Sequence, residues 1–214
     1  MIFADPPDNL GLEYEGYTDK ISLTEYYNKM ELLIDWSLKK APVFLLSYFW
    51  KHDLEIKYIV RNLLKYKYPS FQNKIFIWRY TFGQYRSTDC GSGFRYILRL
   101  MQNGTIIYPN NIRIESERQR LGDNRADSDG RVPDDVWDIP RVTGNSRERR
   151  SWHPTQHPES LIERLILLHT KEGDKIFDPF LGSGTTLIVG KRLKRIVSGC
   201  EISKHYCEKI GEKS

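Results

Sequence analysis

With 214 residues, 39% of them hydrophobic, the chain has enough apolar material for one domain with its own core. Lys and Arg number 33 against 28 Asp and Glu, a formal charge of +5 that mildly favours a polyanionic partner. Cys90, Cys200 and Cys207 match neither a zinc site nor a disulfide framework, and there is no signal-like start and no apolar run of bilayer length, so the composition argues against secretion and membrane insertion and for a reducing, cytoplasmic setting.

Met1 to Ala4 reads as a short strand that stops abruptly at Asp5-Pro6-Pro7-Asp8. Two consecutive prolines remove two backbone donors and fix the local torsions, which makes the neighbouring carbonyls stiff, unpaired acceptors. Ser22 to Lys40 has the period of an amphipathic helix, with Ser22 or Thr24 as its cap and lysines in its last turn. The run "PVFLLSYFW" reads as a buried strand, Asp53 to Lys67 as a second helix, and "KIFIWRYTFG" and "FRYILRLMQNG" as two further strands around a polar loop. Strand, helix, strand, helix, strand is the beginning of an α/β sheet. Trp78, Tyr80, Phe82 and Tyr85, interleaved with Arg79 and Arg86, suit either a core strand or the wall of a base pocket.

From Arg113 to Arg150 the pattern breaks. This stretch holds nine arginines and nine acids among Gly, Pro and Asn, and reads as a loop-rich insertion rather than a simple phosphate patch. Helical period returns in "PESLIERLILLHTK", followed by the strand "KIFDPF", a Gly-rich turn, the helix "TTLIVGKRLK" and the strand "RIVSGCEI".

The strand that ends at Asp178 runs into Gly182-Ser183-Gly184 and then a helix, which lets a ligand approach backbone amides. Glu201 closes the next strand, where an acid can hold a ribose diol. A pyrophosphate would meet Asp178 as a like charge, so a ligand with cationic groups and a ribose, S-adenosylmethionine, fits better than a dinucleotide. The competing reading is that Gly182 and Gly184 only permit tight packing.

Taken together, "DPPDNLGLEY" and "FDPFLGSGTT" resemble the catalytic and cofactor motifs of the amino-group DNA methyltransferases, which methylate adenine N6 or cytosine N4. The order, catalytic motif first and cofactor motif last, resembles the permuted β-type branch. The segment from Val136 to Ile166 is similar to the family's approach to the cofactor strand. The resemblance implies a Rossmann-like α/β sheet, mostly parallel with one antiparallel strand, in a single domain over residues 1–214 with residues 113–150 as an inserted target-recognition region. It implies S-adenosylmethionine as cofactor, DNA with a flipped-out base as partner, and the cytoplasm of a bacterial or phage-infected cell, as in restriction-modification; it also admits a homodimer. By resemblance Asp5, Pro6, Pro7 and Asp8 are catalytic, with the Asp5 carboxylate and Pro6 carbonyl accepting the amino hydrogens so that the lone pair turns toward the methyl. Asp178, Phe180, Gly182, Ser183, Gly184, Thr185, Thr186, Glu201 and Ile202 fall to the cofactor. So do His153, Thr155 and Gln156 of "SWHPTQHP", at its methionine end.

The sequence departs from that pattern in three places. Asp8 stands where the family has an aromatic ring that stacks on the base, a loss of roughly 1–3 kcal/mol unless another ring replaces it. A carboxylate there could instead accept from a donor-rich base edge, which leaves the base open. His157 replaces the usual Lys of the His-Pro-Thr-x-Lys-Pro motif. The strand and helix that usually precede the catalytic motif are expected to be missing, so that either another element or subunit closes the pocket or the protein is shortened and binds the cofactor weakly. Two readings compete with DNA methylation: a non-catalytic nucleic-acid-binding protein on the same fold, and transfer to the amine of RNA or of a protein glutamine.

Overall fold

The computed structural model describes residues 1–80 and 87–212. Its frame is a seven-stranded sheet built from β1 (Ile2–Ala4), β4 (Val43–Tyr48), β5 (Phe71–Arg79), β6 (Phe94–Gln102), β7 (Val136–Asp138), β8 (Lys175–Asp178) and β9 (Ile196–Gly199), in the order β7-β5-β6-β4-β1-β8-β9. Only β6 runs antiparallel to its neighbours; the pairs β1–β4, β1–β8, β8–β9 and β5–β7 are parallel. This is the mostly parallel α/β sheet with one antiparallel strand that the family resemblance implies.

The central strands are covered on both faces, and their side chains alternate between two cores as a period of two requires. Ile2, Ala4, Phe44, Leu46 and Tyr48 pack under α1 (Leu23–Lys40) and α2 (Asp53–Tyr66), while Phe3, Val43 and Leu45 pack with α4 (Glu159–His169) and α5 (Thr185–Arg192). Helix α1 buries Tyr26, Met30, Ile34 and Leu38, four residues apart, and of its two candidate caps Ser22 is the one used, accepting from the Glu25 amide.

Several elements have no counterpart in the sequence reading. A small hairpin of β2 (Glu13–Tyr14) and β3 (Tyr17–Thr18) follows the catalytic motif, its turn made by Gly16 at φ 85. Strand β7 lies inside the expected loop-rich insertion, and helix α6 (Lys204–Gly211) follows the last strand. Otherwise the insertion is irregular. It carries the short helix α3 (Glu117–Arg120) with a Ser116–Gln119 capping box, and several of its arginines are spent on local partners, Arg113 on Asp127 and Arg125 on Asp123.

Because β1 and β8 are neighbours in register Ile2 to Phe177, residues almost the whole chain apart end side by side. One crossover leaves β1 toward β4 and the other leaves β8 toward β9, so the strand order reverses between them. Ligands bind at such a reversal, outside the carboxyl ends of the strands.

Candidate active site

A cavity of about 970 Å³ opens at this reversal. Asp5, Pro6, Pro7 and Asp8 line it from the end of β1. Asp178, Phe180, Gly182, Ser183, Thr185, Thr186, Glu201 and Ile202 line it from the ends of β8 and β9, and His153, Thr155 and Gln156 from the loop before α4. Gly184 is the exception among the expected residues. It caps α5 in the left-handed region (φ 76), and a Cβ there would meet the Ile210 side chain at 3.0 Å, so its role is to pass the chain under α6.

At the ends of β8 and β9 the carboxylates shape the glycine turn. Glu201 accepts from the Gly182 amide at 2.8 Å with one oxygen and from the Ser203 amide at 2.8 Å with the other. Asp178 accepts from the Phe180 amide at 2.9 Å, and its burial pushes the carboxyl up to about 7, with Asp5 and Glu201 raising it further against the bonds from Thr186 and Phe180. A Cβ on Gly182 would lie 3.0 Å from the His153 ring, so only glycine leaves room there. Ile202 is 83% exposed, an apolar side chain on the rim. Gln156 braces the loop, accepting from the Arg150 amide and donating to the Glu148 carbonyl.

At the other end Asp5 sits in a closed ring of hydrogen bonds. Arg95 Nη2 donates to Asp5 Oδ1 at 2.7 Å and Arg95 Nε to Ser47 Oγ at 2.6 Å. Ser47 Oγ lies 3.2 Å from His157 Nε2, and His157 Nδ1 lies 3.3 Å from Asp5 Oδ2. Burial lowers the His157 pKa. A neutral imidazole protonated on Nδ1 gives every donor in the ring an acceptor. Burial alone would raise the Asp5 carboxyl, but Arg95 and His157 override it and hold it below the usual carboxylate range.

Asp8 does not stand free to read a base. Its Oδ2 accepts from Arg95 Nη1 at 2.5 Å, its Oδ1 from Arg95 Nη2 and the Phe49 amide at 3.0 Å each, and its carbonyl oxygen lies 2.7 Å from His52 Nε2. The acceptor capacity that could have served a base edge is directed at the protein's own donors.

Aromatic rings nevertheless surround the site. Trp78 and Tyr80 line the cavity, Trp78 with its ring 5.3 Å from that of His157 and its Nε1 donating to the Ile139 carbonyl, so it is both core and wall. The Arg141 guanidinium lies 5.8 Å from the centre of the Tyr80 ring. Arg79 points away, paired with Asp138; Phe82, Tyr85 and Arg86 lie outside the described residues. Tyr14 and Tyr17, stacked with centroids 5.0 Å apart, bring the hairpin over the cavity, where the Glu15 amide donates to the Tyr206 hydroxyl. Arg95 and the two tyrosines escaped the sequence reading. The Gly16 turn between Tyr14 and Tyr17 was a usable hairpin signal; Arg95 offered none, since its place depends on the pairing of β6.

The sequence model of the DNA methylase family N6_N4_Mtase matches residues 1–212. The type II methyltransferase M.HpaI of Haemophilus parainfluenzae is 30% identical over 215 residues, covering 100% of this chain and 67% of its own length. The DNA adenine methyltransferase YhdJ of Escherichia coli is 32% identical over 228 residues, covering 96% of this chain and 72% of its own. The type II methyltransferase M.BglII of Bacillus subtilis aligns only locally, 43% identical over 89 residues that cover 42% of this chain and 24% of its own length. Among solved structures, that of the M1.HpyAVI–SAM complex superposes with a TM-score of 0.67 at 19% identity, covering 99% of this chain and 86% of that one, a likeness of fold.

Proposed function

Since this chain belongs to the N6_N4 DNA methylase family, S-adenosylmethionine-dependent enzymes that act on an exocyclic amino group of a DNA base, we propose that Asp5 and the Pro6 carbonyl hold that amino group and that the base is adenine. The observation that supports it is the juxtaposition in one cavity of a fixed Asp5 carboxylate with a glycine turn flanked by two acids. Adenine is favoured by the likeness to the adenine methyltransferase of Escherichia coli.

The residues fit the cofactor. Gly182, Asp178 and Glu201 all line the cavity, and the two carboxylates are suited to the cofactor's cationic groups and its ribose. When bound, S-adenosylmethionine supplies a sulfonium methyl as the electrophile. The chain's part is positioning. The amino lone pair of a base is delocalised into the ring, and two fixed acceptors on its hydrogens pull the nitrogen out of conjugation and aim the lone pair along the line of transfer. Asp5, with its depressed pKa, is a weak base and a good acceptor, so it orients the amine and passes the released proton on to water rather than keeping it.

A base reaches this cavity only when turned out of the duplex, and Tyr80, backed by the buried Trp78, offers the ring surface that position 8 lacks. In this reading residues 113–150 carry target recognition, supported by Arg141, Thr143 and Arg149 at the cavity. The cytoplasm is the matching compartment; among the described residues no helix is long and apolar enough to cross a membrane. The test is nucleoside mass spectrometry of DNA from cells expressing the protein or its Asp5→Ala variant. Methyladenine in the first sample alone supports the reading, methylcytosine moves it to the other base, and no methylated nucleoside in either refutes it.

A further inference from the structure

The two departures from the family motifs, Asp8 and His157, meet at one guanidinium. Arg95 enters the site because β6 is antiparallel: its early residues emerge at the edge where β1 and β4 end, next to the register pair Tyr48–Tyr96. Its fork is fixed on three sides, by Ser47 Oγ at Nε, by Asp8 Oδ2 at Nη1, and at Nη2 by Asp8 Oδ1 and Asp5 Oδ1 together. Asp8 is fixed in turn by the Phe49 amide. Such a planar, bidentate clamp allows almost no swing.

We propose that Arg95 is the positioning residue of the methyl-transfer site, supplying from β6 the cation expected at position 157, and that Asp8 acts through it by sharing its charge so that Asp5 is held without being neutralised. The inference rests on the function proposed above. With Asp8 as a second anion, Arg95 divides its donors between two carboxylates, and Asp5 keeps lone pairs for the amine. An aromatic ring at position 8 would leave the whole guanidinium to Asp5. The charged partner has changed position, and the residue that replaces the stacking ring is the one that holds it.

The test is single-turnover methyl transfer to adenine-containing DNA, with S-adenosylmethionine affinity by calorimetry and folding by circular dichroism, for the wild type, Asp8→Asn, Arg95→Met, Asp8→Asn/Arg95→Met and Arg95→Met/His157→Lys. Arg95→Met is expected to slow transfer about a hundredfold, as for removal of one preorganised group, with cofactor affinity within about threefold. Asp8→Asn is expected to slow it about tenfold alone and to add little in the Arg95→Met background, because the two act as a unit. His157→Lys is expected to restore at least about tenfold to Arg95→Met by returning the charge to position 157. Multiplicative effects of Asp8 and Arg95, or no rescue by His157→Lys, would overturn the inference. If Arg95→Met does not fold, Arg95→Lys takes its place in the cycle. It keeps the charge but not the fork, and unchanged transfer in that variant would overturn the inference equally. A wild type that transfers no methyl would instead bring down the functional reading itself.

Discussion

Protonation of Asp178 should be visible in cofactor affinity. This carboxyl is 2% exposed, and burial pushes it up to about 7, far above the ordinary 3.8. A cationic ligand beside it requires the ionised form, so binding and proton release are linked. About half of the sites are ionised near pH 7 and about a tenth near pH 6, so S-adenosylmethionine affinity should fall roughly fivefold, about 1 kcal/mol, between the two. Calorimetric titration near pH 6 and pH 7, repeated in two buffers of different ionisation heat, reads both the affinity and the protons released, about half a proton per cofactor near pH 7. Asp178→Asn should bind weakly with little pH dependence, leaving only the smaller influence of His153, whose pKa is lowered by burial. The same slope in wild type and Asp178→Asn, or no proton release from the wild type near pH 7, would refute the reasoning. The sign also holds for the empty protein: a carboxyl raised on folding contributes stability that is full below about 4 and is lost as the pH rises through about 7.

Asp5→Ala should abolish methyl transfer while leaving cofactor affinity within about threefold of the wild type, because Asp5 acts on the nucleophile; equal loss of both would move its role to the cofactor. His169, buried at the end of α4 with its pKa lowered to about 3, stays neutral in the folded protein while it charges in the unfolded one. Stability from this residue is full above about pH 6.5 and declines on acidification, by about 2 kcal/mol between pH 7 and pH 5, and urea unfolding of the wild type and His169→Gln should show the larger decline in the wild type. Gly199→Ala would place a Cβ 2.3 Å from the Asp178 carbonyl oxygen and 2.7 Å from Leu181. It should cost about 1–3 kcal/mol in thermal unfolding and weaken cofactor binding through the displaced turn.

What could be read from the sequence, and what could not, divides along the range of the interactions. The helices and main strands were legible because their signals are local: Ser22 as a cap, Tyr26-Met30-Ile34 at helical spacing, and "PVFLLSYFW" as an uninterrupted buried run. The glycine turn was legible for the same reason, with Asp178, Gly182 and Glu201 in fixed order around two strand ends. Strand β7 was hidden because it is three residues long and only Trp137 is buried; it is a strand because β5 lies beside it, with Trp78 opposite Trp137. Arg95 was hidden more deeply. Nothing in "FRYILRLMQNG" marks an active-site cation, and its partners Asp5, Asp8 and Ser47 come from two other places in the chain, with His157 joining the ring through Asp5 from a third. Asp8 therefore looked like the loss of a ring, whereas it is half of an ion pair whose other half lies 87 residues on.

The adjacency of β1 and β8 also has a consequence for biosynthesis. Met1 donates to the carbonyl of Lys175 across a separation of 174 residues, so the strand that leads into Asp5 is made well before the neighbour it pairs with. Until β8 leaves the ribosome, one edge of β1 lies unpaired, and the cavity lined by both Asp5 and Asp178 is not yet formed. By connectivity alone, the two halves of the cavity come together only after everything between them has been made.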